Sequence, residues 1–231
     1  MRPGQGEALE QIQKDFDRIA VLSEREGTPG GIYDRFILRF VPDQCARALE
    51  IGCGTGTFTR LLAAQADQVT AIDLSGEMIR VARQRSTGYT NIDYKAGDLL
   101  KMSLPVSRFD CIVMIATLHH LPIEPVLERI KEALTPGGVL ILHDLLTPDG
   151  AIDKAADLFR LPVNLAVRFR RTGRLLAARD VRKAWAEHGK NERYLTKHQV
   201  VAMRDQHLQG GYVKNHLLWR YTVVWRKQGS A

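Results

Sequence analysis

Apolar strand patterns alternate with amphipathic helix patterns between residues 47 and 146, and this order restricts the possible folds more than any other feature of the chain. Strands are predicted at residues 47–51, 69–73, 91–97, 109–116 and 138–146, and helices at 57–65, 75–86 and 122–134. The alternation is typical of βαβ units, whose strands form a parallel sheet with helices on both faces. We therefore predict an α/β fold with a doubly wound, mostly parallel sheet.

The flanking regions predict further helices and a hairpin. Residues 7–26 have the spacing of an amphipathic helix, whose apolar face contains Leu9, Ile12, Phe16 and Ile19. Shorter helices are predicted at 32–40 and 196–208. Residues 212–227 are predicted to form two strands with a tight turn, which would add an antiparallel pair to the sheet. Residues 151–195, predicted to be largely helical, do not fit the alternation, and we interpret them as an insertion.

Composition and cysteine usage exclude several classes of protein. Hydrophobic residues make up 45% of the chain and charged residues 26%, which is ordinary for a soluble globular protein. No apolar run reaches the roughly 18 residues of a membrane-spanning helix, and the N-terminus has no apolar signal core. We therefore expect a cytoplasmic protein without a transmembrane span. Cys45, Cys53 and Cys111 form no CxxC pair, so they indicate neither a zinc site nor a disulfide framework, and no metal ligands are predicted.

Positive charge is concentrated in one segment. The chain has a net charge of +7, and residues 167–190 contain eight basic and two acidic residues, a net of +6. An anionic partner would therefore be bound locally, by this segment. Four interpretations remain open: a solvated helix face, a site for an anionic small substrate, an RNA-binding surface and a membrane-binding surface. The apolar residues just before it also fit a lid over a pocket: Leu158, Phe159, Leu161, Val163, Leu165 and Val167.

A glycine-rich turn follows the first predicted strand, in the sequence ALEIGCGTGTFTRLLA at residues 48–63. Glycine costs backbone entropy, so its use at Gly52, Gly54 and Gly56 indicates a ligand that lies against bare backbone. The dinucleotide fingerprint GxGxxG would place its third glycine at Thr57, one residue later than here. The phosphate-binding pattern GxxxxGK[ST] is absent, which excludes a P-loop.

The pattern E-x-G-x-G-x-G, beginning at Glu50, resembles motif I of the class I S-adenosylmethionine-dependent methyltransferases. The resemblance implies that S-adenosylmethionine is the cofactor. Bare glycine backbone would let its methionine tail and ribose lie against the turn, and an acidic residue there would offset its cationic groups. The family also implies a Rossmann-like, seven-stranded sheet with an antiparallel C-terminal hairpin. The ending HLLWRYTVVWRK resembles a bacterial subgroup of small-molecule methyltransferases.

Further positions follow the order of the family's motifs. By resemblance, Asp73 would bind both ribose hydroxyls, and Leu74 and Met78 would flank the adenine. Asp98, in GDLL, would bind the adenine amine, with Leu99 packed on the ring. The cofactor-binding residues implied in this way are Tyr33, Glu50, Gly52, Cys53, Gly54, Gly56, Asp73, Leu74, Met78, Gly97, Asp98, Leu99, Ala116 and His120.

Two histidines are candidate catalytic residues. His119 follows the fourth strand and His143 is near the end of the fifth, at the sheet edge where α/β proteins bind ligands. Histidine can act as a general base because its pKa is close to neutral pH. A structural role is the alternative for both. Methyl transfer needs little acid–base assistance, because the sulfonium is already activated and alignment of the nucleophile does much of the work.

The resemblance implies methyl transfer to a small-molecule acceptor, anionic or apolar, at O, N or C by in-line displacement. The predicted layout is an N-terminal helical lid at 1–40, a core at 41–150 and 196–231, and a basic helical cap at 151–195. Alternatives are a quinone or lipid-like C-methyltransferase, an RNA methyltransferase that uses 167–190, a nicotinamide oxidoreductase and a non-catalytic binder. Nucleic acid is disfavoured, because ATLHH stands where amino methylases have [DNS]PP[YFW] and the chain has no Pro-Cys pair. The oligomeric state is left open.

Overall fold

The computed structural model describes residues 5–24, 30–148, 162, 165–166, 168–170, 172–190 and 192–229. A seven-stranded sheet with the order β3-β2-β1-β4-β5-β7-β6 runs through the molecule. Strands β1 to β5 pair in parallel, whereas β7 pairs antiparallel with both β5 and β6. The predicted fold class is confirmed, including the antiparallel C-terminal hairpin.

The strands and helices follow the order predicted from the sequence. The strands are β1 Cys45–Ile51, β2 Ala66–Asp73, β3 Ile92–Ala96, β4 Phe109–Ile115, β5 Leu134–Leu145, β6 Tyr212–His216 and β7 Arg220–Arg226. The described helices are α1 Gln5–Glu24, α2 Asp34–Leu38, α3 Thr57–Leu62, α4 Gly76–Arg85, α5 Ile123–Ala133, α6 Arg179–His188 and α7 Lys197–His207, with a 3-10 turn at Leu118–His120. Residues 151–161, predicted to be helical, lie outside the described residues.

The central strands are apolar on both faces because helices cover both faces of the sheet. In β4, Ile112 and Met114 belong to one core, whereas Cys111 and Val113 belong to the other. Strand β5 is divided in the same way between the two cores. This arrangement explains why the β4 segment is a nearly continuous apolar run rather than an alternating one.

Three local details of the structure differ from the sequence predictions or add to them. Strand β5 begins at Leu134 rather than at residue 138, because Leu134 already pairs with Phe109 of β4. The register then shifts, and regular pairing continues from Val139, which pairs with Cys111. The hairpin loop has three residues, 217–219, between the paired His216 and Arg220, with positive φ angles at Leu218 and Trp219. Ser75 caps α4 as its side chain accepts a hydrogen bond from the N–H of Met78.

Helices α1 and α6 lie over the carboxyl edge of the sheet, where they pack against each other, and α1 also packs against α4. A small core joins them, formed by Ile19 and Ala20 of α1, Met78 of α4 and Ala184 of α6. None of the helices described here combines the length and apolar character that a bilayer crossing requires.

Candidate active site

A cavity of about 420 Å³ lies over the carboxyl ends of β1, β2, β3 and β4. The loops that follow these strands converge at this edge, the position where open α/β sheets bind ligands. All the predicted cofactor-binding residues except Tyr33 and Gly56 line the cavity. Residues predicted from four separate motifs are therefore brought together on one surface.

The three glycines of the turn are required for two different reasons. All have positive φ. A Cβ on Gly52 would collide with Thr117, and one on Gly56 would collide with the Tyr94 hydroxyl. A Cβ on Gly54 would meet no described atom within 4 Å, because this residue faces the open cavity. Gly54 thus leaves space for a ligand, whereas Gly52 and Gly56 leave space for neighbouring side chains.

The carboxylate of Asp73 is fixed against the glycine turn. Its Oδ2 accepts a hydrogen bond from the N–H of Gly54 at 2.7 Å, and its Oδ1 accepts one from the N–H of Ser75 at 2.9 Å. Burial raises the pKa of Asp73, and these two backbone donors act in the opposite direction. Each oxygen keeps a second acceptor position, so the group can still bind a pair of hydroxyls.

Two buried oxygen atoms in the cavity wall lack hydrogen-bond partners. Asp98 Oδ1 accepts from the N–H of Leu100 at 2.9 Å, but Oδ2 has no hydrogen bond within the described chain, with Lys101 Nζ 3.8 Å away. The Thr57 hydroxyl likewise has no partner among the residues described. Buried polar atoms are normally hydrogen-bonded, so both indicate a polar ligand.

Glu50 lies beneath the turn and is almost completely buried. Its Oε2 accepts a hydrogen bond from the Thr59 hydroxyl at 2.5 Å. Burial raises the pKa of Glu50 to about 8, and the neighbouring charge of Asp73 adds to the increase. Near neutral pH the carboxyl group is therefore mostly protonated, and a cationic ligand would favour its ionisation.

The outer wall of the cavity is mainly apolar and is formed by two helices. The α1 residues Leu9, Ile12, Phe16 and Ile19, which the sequence pattern placed on one face, all line it. Val181 and Trp185 of α6 form the facing part, and Arg168 adds a basic side chain. These residues were not predicted as site residues, although the apolar periodicity of α1 was the signal that could have identified them.

The comparisons with known proteins agree with this geometry. Residues 48–138 match the family model described as a methyltransferase domain. These residues belong to the methyltransferase-domain family. The resemblance to class I S-adenosylmethionine-dependent methyltransferases is thereby confirmed.

Curated relatives are similar to about half of this chain. An uncharacterized methyltransferase of Mycobacterium tuberculosis is 32% identical over 117 residues, which cover 50% of this chain and 59% of that protein. The ubiquinone biosynthesis O-methyltransferase of Xanthomonas campestris pv. campestris is 36% identical over 105 residues, 43% of each chain. The match to the first of these relatives spans about three fifths of its length.

The fold is shared by solved structures at low sequence identity. The N-methyltransferase NodS from Bradyrhizobium japonicum, solved with S-adenosylhomocysteine, superposes with a TM-score of 0.62 at 18% identity. The superposition covers 94% of this chain and 98% of NodS. At this level of identity the likeness concerns the fold alone.

Both candidate catalytic histidines lie outside the cavity lining of the methyltransferase domain. His143 is buried, its Nδ1 is 2.9 Å from the Thr222 hydroxyl, and burial lowers its pKa to about 3. His119 Nδ1 is 2.7 Å from Asp144 Oδ1, and Asp144 Oδ2 also accepts a hydrogen bond from the backbone N–H of His119. A catalytic role for either histidine stays a prediction, and the structure places neither beside the glycine turn.

Tyr33 also lies away from the cavity. Its ring packs against His143 and His216, with centroid distances of 5.2 and 4.5 Å, and its hydroxyl donates a hydrogen bond to the Leu217 carbonyl. These contacts tie the segment before α2 to the C-terminal hairpin. His120, in contrast, lines the cavity as predicted.

Proposed function

We propose that this protein is an S-adenosylmethionine-dependent methyltransferase that acts on a small molecule. The observation that carries the proposal is the cavity over the glycine turn, with Asp73 fixed at one end and two unsatisfied buried oxygens in its wall. Its volume of about 420 Å³ is within the range of small-molecule sites, roughly 300–1,000 Å³.

The residues present fit the chemistry of this cofactor. The methionine tail would lie against Gly52 and Gly54, close to Glu50, whose ionisation the ligand's ammonium group would favour. Asp73 has free acceptor positions for two ribose hydroxyls. Asp98 Oδ2, which has no hydrogen bond within the described chain, would accept one from the adenine amine, and Leu74, Met78 and Leu99 would contact the ring.

The mechanism that follows is in-line displacement. The bound cofactor supplies a methyl group that is already activated by the positive sulfur. The chain's own contribution is to hold the acceptor in line, which can supply about 7–11 kcal/mol of the barrier. Phe16, Ile19 and Trp185 form an apolar wall that would also exclude water from the reacting atoms.

The same wall supports an apolar acceptor rather than a strongly charged one. Leu9, Ile12, Val181 and Ala177 add to it, and Arg168 is the basic side chain among the lining residues. Two curated relatives are a ubiquinone biosynthesis O-methyltransferase and a demethylmenaquinone methyltransferase, names that fit an apolar acceptor. In this proposal residues 1–40 are the lid and residues 151–195 are the cap, and both would shape the acceptor chamber.

The RNA alternative is less well supported. The basic residues Arg170, Arg174, Arg179, Arg182 and Lys183 are exposed, whereas the cavity beneath them is walled by apolar side chains. A cavity built to read a nucleobase would need hydrogen-bonding groups in that wall. The exposed basic residues are then a solvated surface.

The function is tested by measuring how much S-adenosylhomocysteine forms from S-adenosylmethionine in the presence of an acceptor. Two panels of acceptors are compared: apolar phenols or quinols, and charged amines. We expect turnover with the apolar panel and none with Gly54→Val, whose side chain would fill the cavity. Gly210→Val is the matched control, because Gly210 also has positive φ and open space but lies in a turn that does not line the cavity. Equal activity of both variants would contradict the proposed methyl transfer, and turnover of charged amines alone would contradict the apolar acceptor.

A further inference from the structure

Four side chains that titrate or bind metals meet at the edge of the cavity, and one of them, His120, also lines it. His119 and His120 form the 3-10 turn after β4, His188 ends α6, and Glu192 follows α6. Each side chain is less than a tenth exposed. The carboxylate of Glu192 is at the centre of this group, which we call the histidine–glutamate cluster.

The distances within the cluster match those between ligands of one metal ion. Glu192 Oε2 lies 3.1 Å from His120 Nδ1 and 3.5 Å from His119 Nε2, and the three ligand atoms are all within 4.8 Å of one another. Zinc–nitrogen and zinc–oxygen bonds of about 2.0–2.2 Å in a tetrahedron separate neighbouring ligand atoms by about 3.3–3.6 Å. One ion could therefore contact all three groups after only small shifts.

The hydrogen bond of His119 Nδ1 leaves the other ring nitrogen of His119 facing an acceptor. Asp144 Oδ1, at 2.7 Å, accepts the proton of His119 Nδ1, so a neutral His119 ring presents an unprotonated Nε2 to Glu192. His120 Nδ1 is buried and makes no well-aligned hydrogen bond to any described residue, despite its closeness to Glu192. A carboxylate only accepts hydrogen bonds, so a cation between His119 Nε2 and Glu192 would relieve this contact, either a metal ion or a proton on the His119 ring, whereas a neutral His120 ring could donate to Glu192 through Nδ1.

Residues around the cluster orient the potential ligands as metal sites require. Asp144 fixes the tautomer of His119 through Nδ1, which is the carboxylate–histidine–metal arrangement. His188 Nε2 is 3.4 Å from Glu192 Oε1, and His188 Nδ1 is 3.2 Å from Asp15 Oδ2 on α1. The second carboxylate oxygen of Glu192 is therefore also held in place.

We propose that His119 Nε2, His120 Nδ1 and Glu192 bind a divalent transition-metal ion of the zinc class. Two imidazoles and one carboxylate favour such a metal over Mg²⁺ or Ca²⁺, which prefer all-oxygen sites. The ion would join the segment after α6 to the sheet edge and, through His188 and Asp15, to α1. Because His120 also lines the cavity, metal binding would fix part of the cavity wall. This inference does not depend on the proposed methyl transfer.

The test is zinc binding by untagged protein that has first been treated with a chelator. We expect one Zn²⁺ per chain with a Kd below about 1 μM, equivalent to about 8 kcal/mol, and a cobalt(II) absorption spectrum typical of a four-coordinate site. Asp144→Asn should weaken the affinity about 10- to 100-fold. Glu192→Gln and His119→Gln should weaken it further, with His198→Gln, an exposed histidine outside the cluster, as the control.

Circular dichroism will show whether each variant is folded. If Glu192→Gln does not fold, His119→Gln and the cobalt spectrum of the wild type still test the site. Zinc binding that is weaker than about 1 μM, or equal in Glu192→Gln and His198→Gln, would overturn the proposal. The cluster would then be held by protons alone.

Discussion

Asp73 Oδ2 accepts a hydrogen bond from the backbone N–H of Gly54 at 2.7 Å. The bond joins the acidic end of β2 to the middle of the glycine turn that follows β1. The two motifs therefore form one rigid surface, and a change at Asp73 affects both the turn and any ligand on it.

Asp73→Asn should weaken binding of S-adenosylhomocysteine by about 10- to 100-fold. The amide nitrogen cannot accept a hydrogen bond, so either a backbone N–H or a ribose hydroxyl loses its partner, at about 1.5–3 kcal/mol for a bond to a charged group. Asp110→Asn is the control, since Asp110 accepts hydrogen bonds from Arg47 and Thr135 but does not line the cavity. Equal affinities of the two variants in calorimetry would contradict the role of Asp73.

Glu50 should make the protein less stable as the pH rises toward 8. Burial raises the pKa of Glu50 from an ordinary value of 4.5 to about 8, so the folded state binds more protons than the unfolded state between these values. This contribution to the free energy of unfolding is complete below pH 4.5 and is lost as the pH rises through about 8. Glu50→Gln, which resembles the protonated form, should flatten the dependence of the melting temperature on pH. The exposed Glu128→Gln should leave it as in the wild type, and an unchanged profile for Glu50→Gln would contradict this account.

The anchoring of α1 should depend on Asp17. Its Oδ1 accepts hydrogen bonds from the Ser75 hydroxyl at 2.5 Å and the N–H of Glu77 at 3.3 Å, which fix α1 to the start of α4. Asp17→Ala should therefore speed hydrogen exchange throughout α1. Arg18→Ala removes only the exposed ion pair with Glu187, a contact worth about 0–1 kcal/mol. If the two variants exchange at the same rate, the contact with α4 does not hold the helix.

His143 should remain uncharged in the folded protein down to about pH 4. Burial, with the charge of Arg220 as a smaller cause, lowers its pKa from 6.5 to about 3. A base whose pKa is lowered on folding contributes stability above its unfolded pKa, and this stability is lost as the pH falls from about 6.5 toward 3. Imidazole chemical shifts of His143 should stay constant from pH 7.5 to 5. A titration near pH 6.5 would contradict this prediction and support a catalytic role.

The fold and the centre of the site could be predicted because their signals are local in sequence. Strand, turn and helix patterns each occupy a few neighbouring residues, so the glycine turn and the position of Asp73 at the end of β2 followed directly from periodicity and order. The apolar face of α1 was also visible, and residues 1–40 were predicted to form a lid. The side chains of α1 that face the cavity were not predicted as site residues, because their positions depend on how α1 packs against α4 and α6.

Other parts of the site depend on contacts between distant residues. Tyr33 stacks on His143 and His216, and Gly56 gives space to Tyr94, contacts that no local pattern indicates. Glu192 reaches His119 and His120 only because the chain after α6 returns to the sheet edge. The sequence analysis judged metal binding from the cysteines alone, which can indicate only thiolate sites. It therefore gave no information on the histidine–glutamate cluster.

Calorimetric titration of the wild-type protein with S-adenosylhomocysteine tests the central claim most directly, because it needs no knowledge of the acceptor. The account predicts one binding site per chain with micromolar or tighter affinity, and no binding of NAD under the same conditions. Absence of S-adenosylhomocysteine binding by folded protein, or binding of NAD in its place, would contradict the assignment of the cavity.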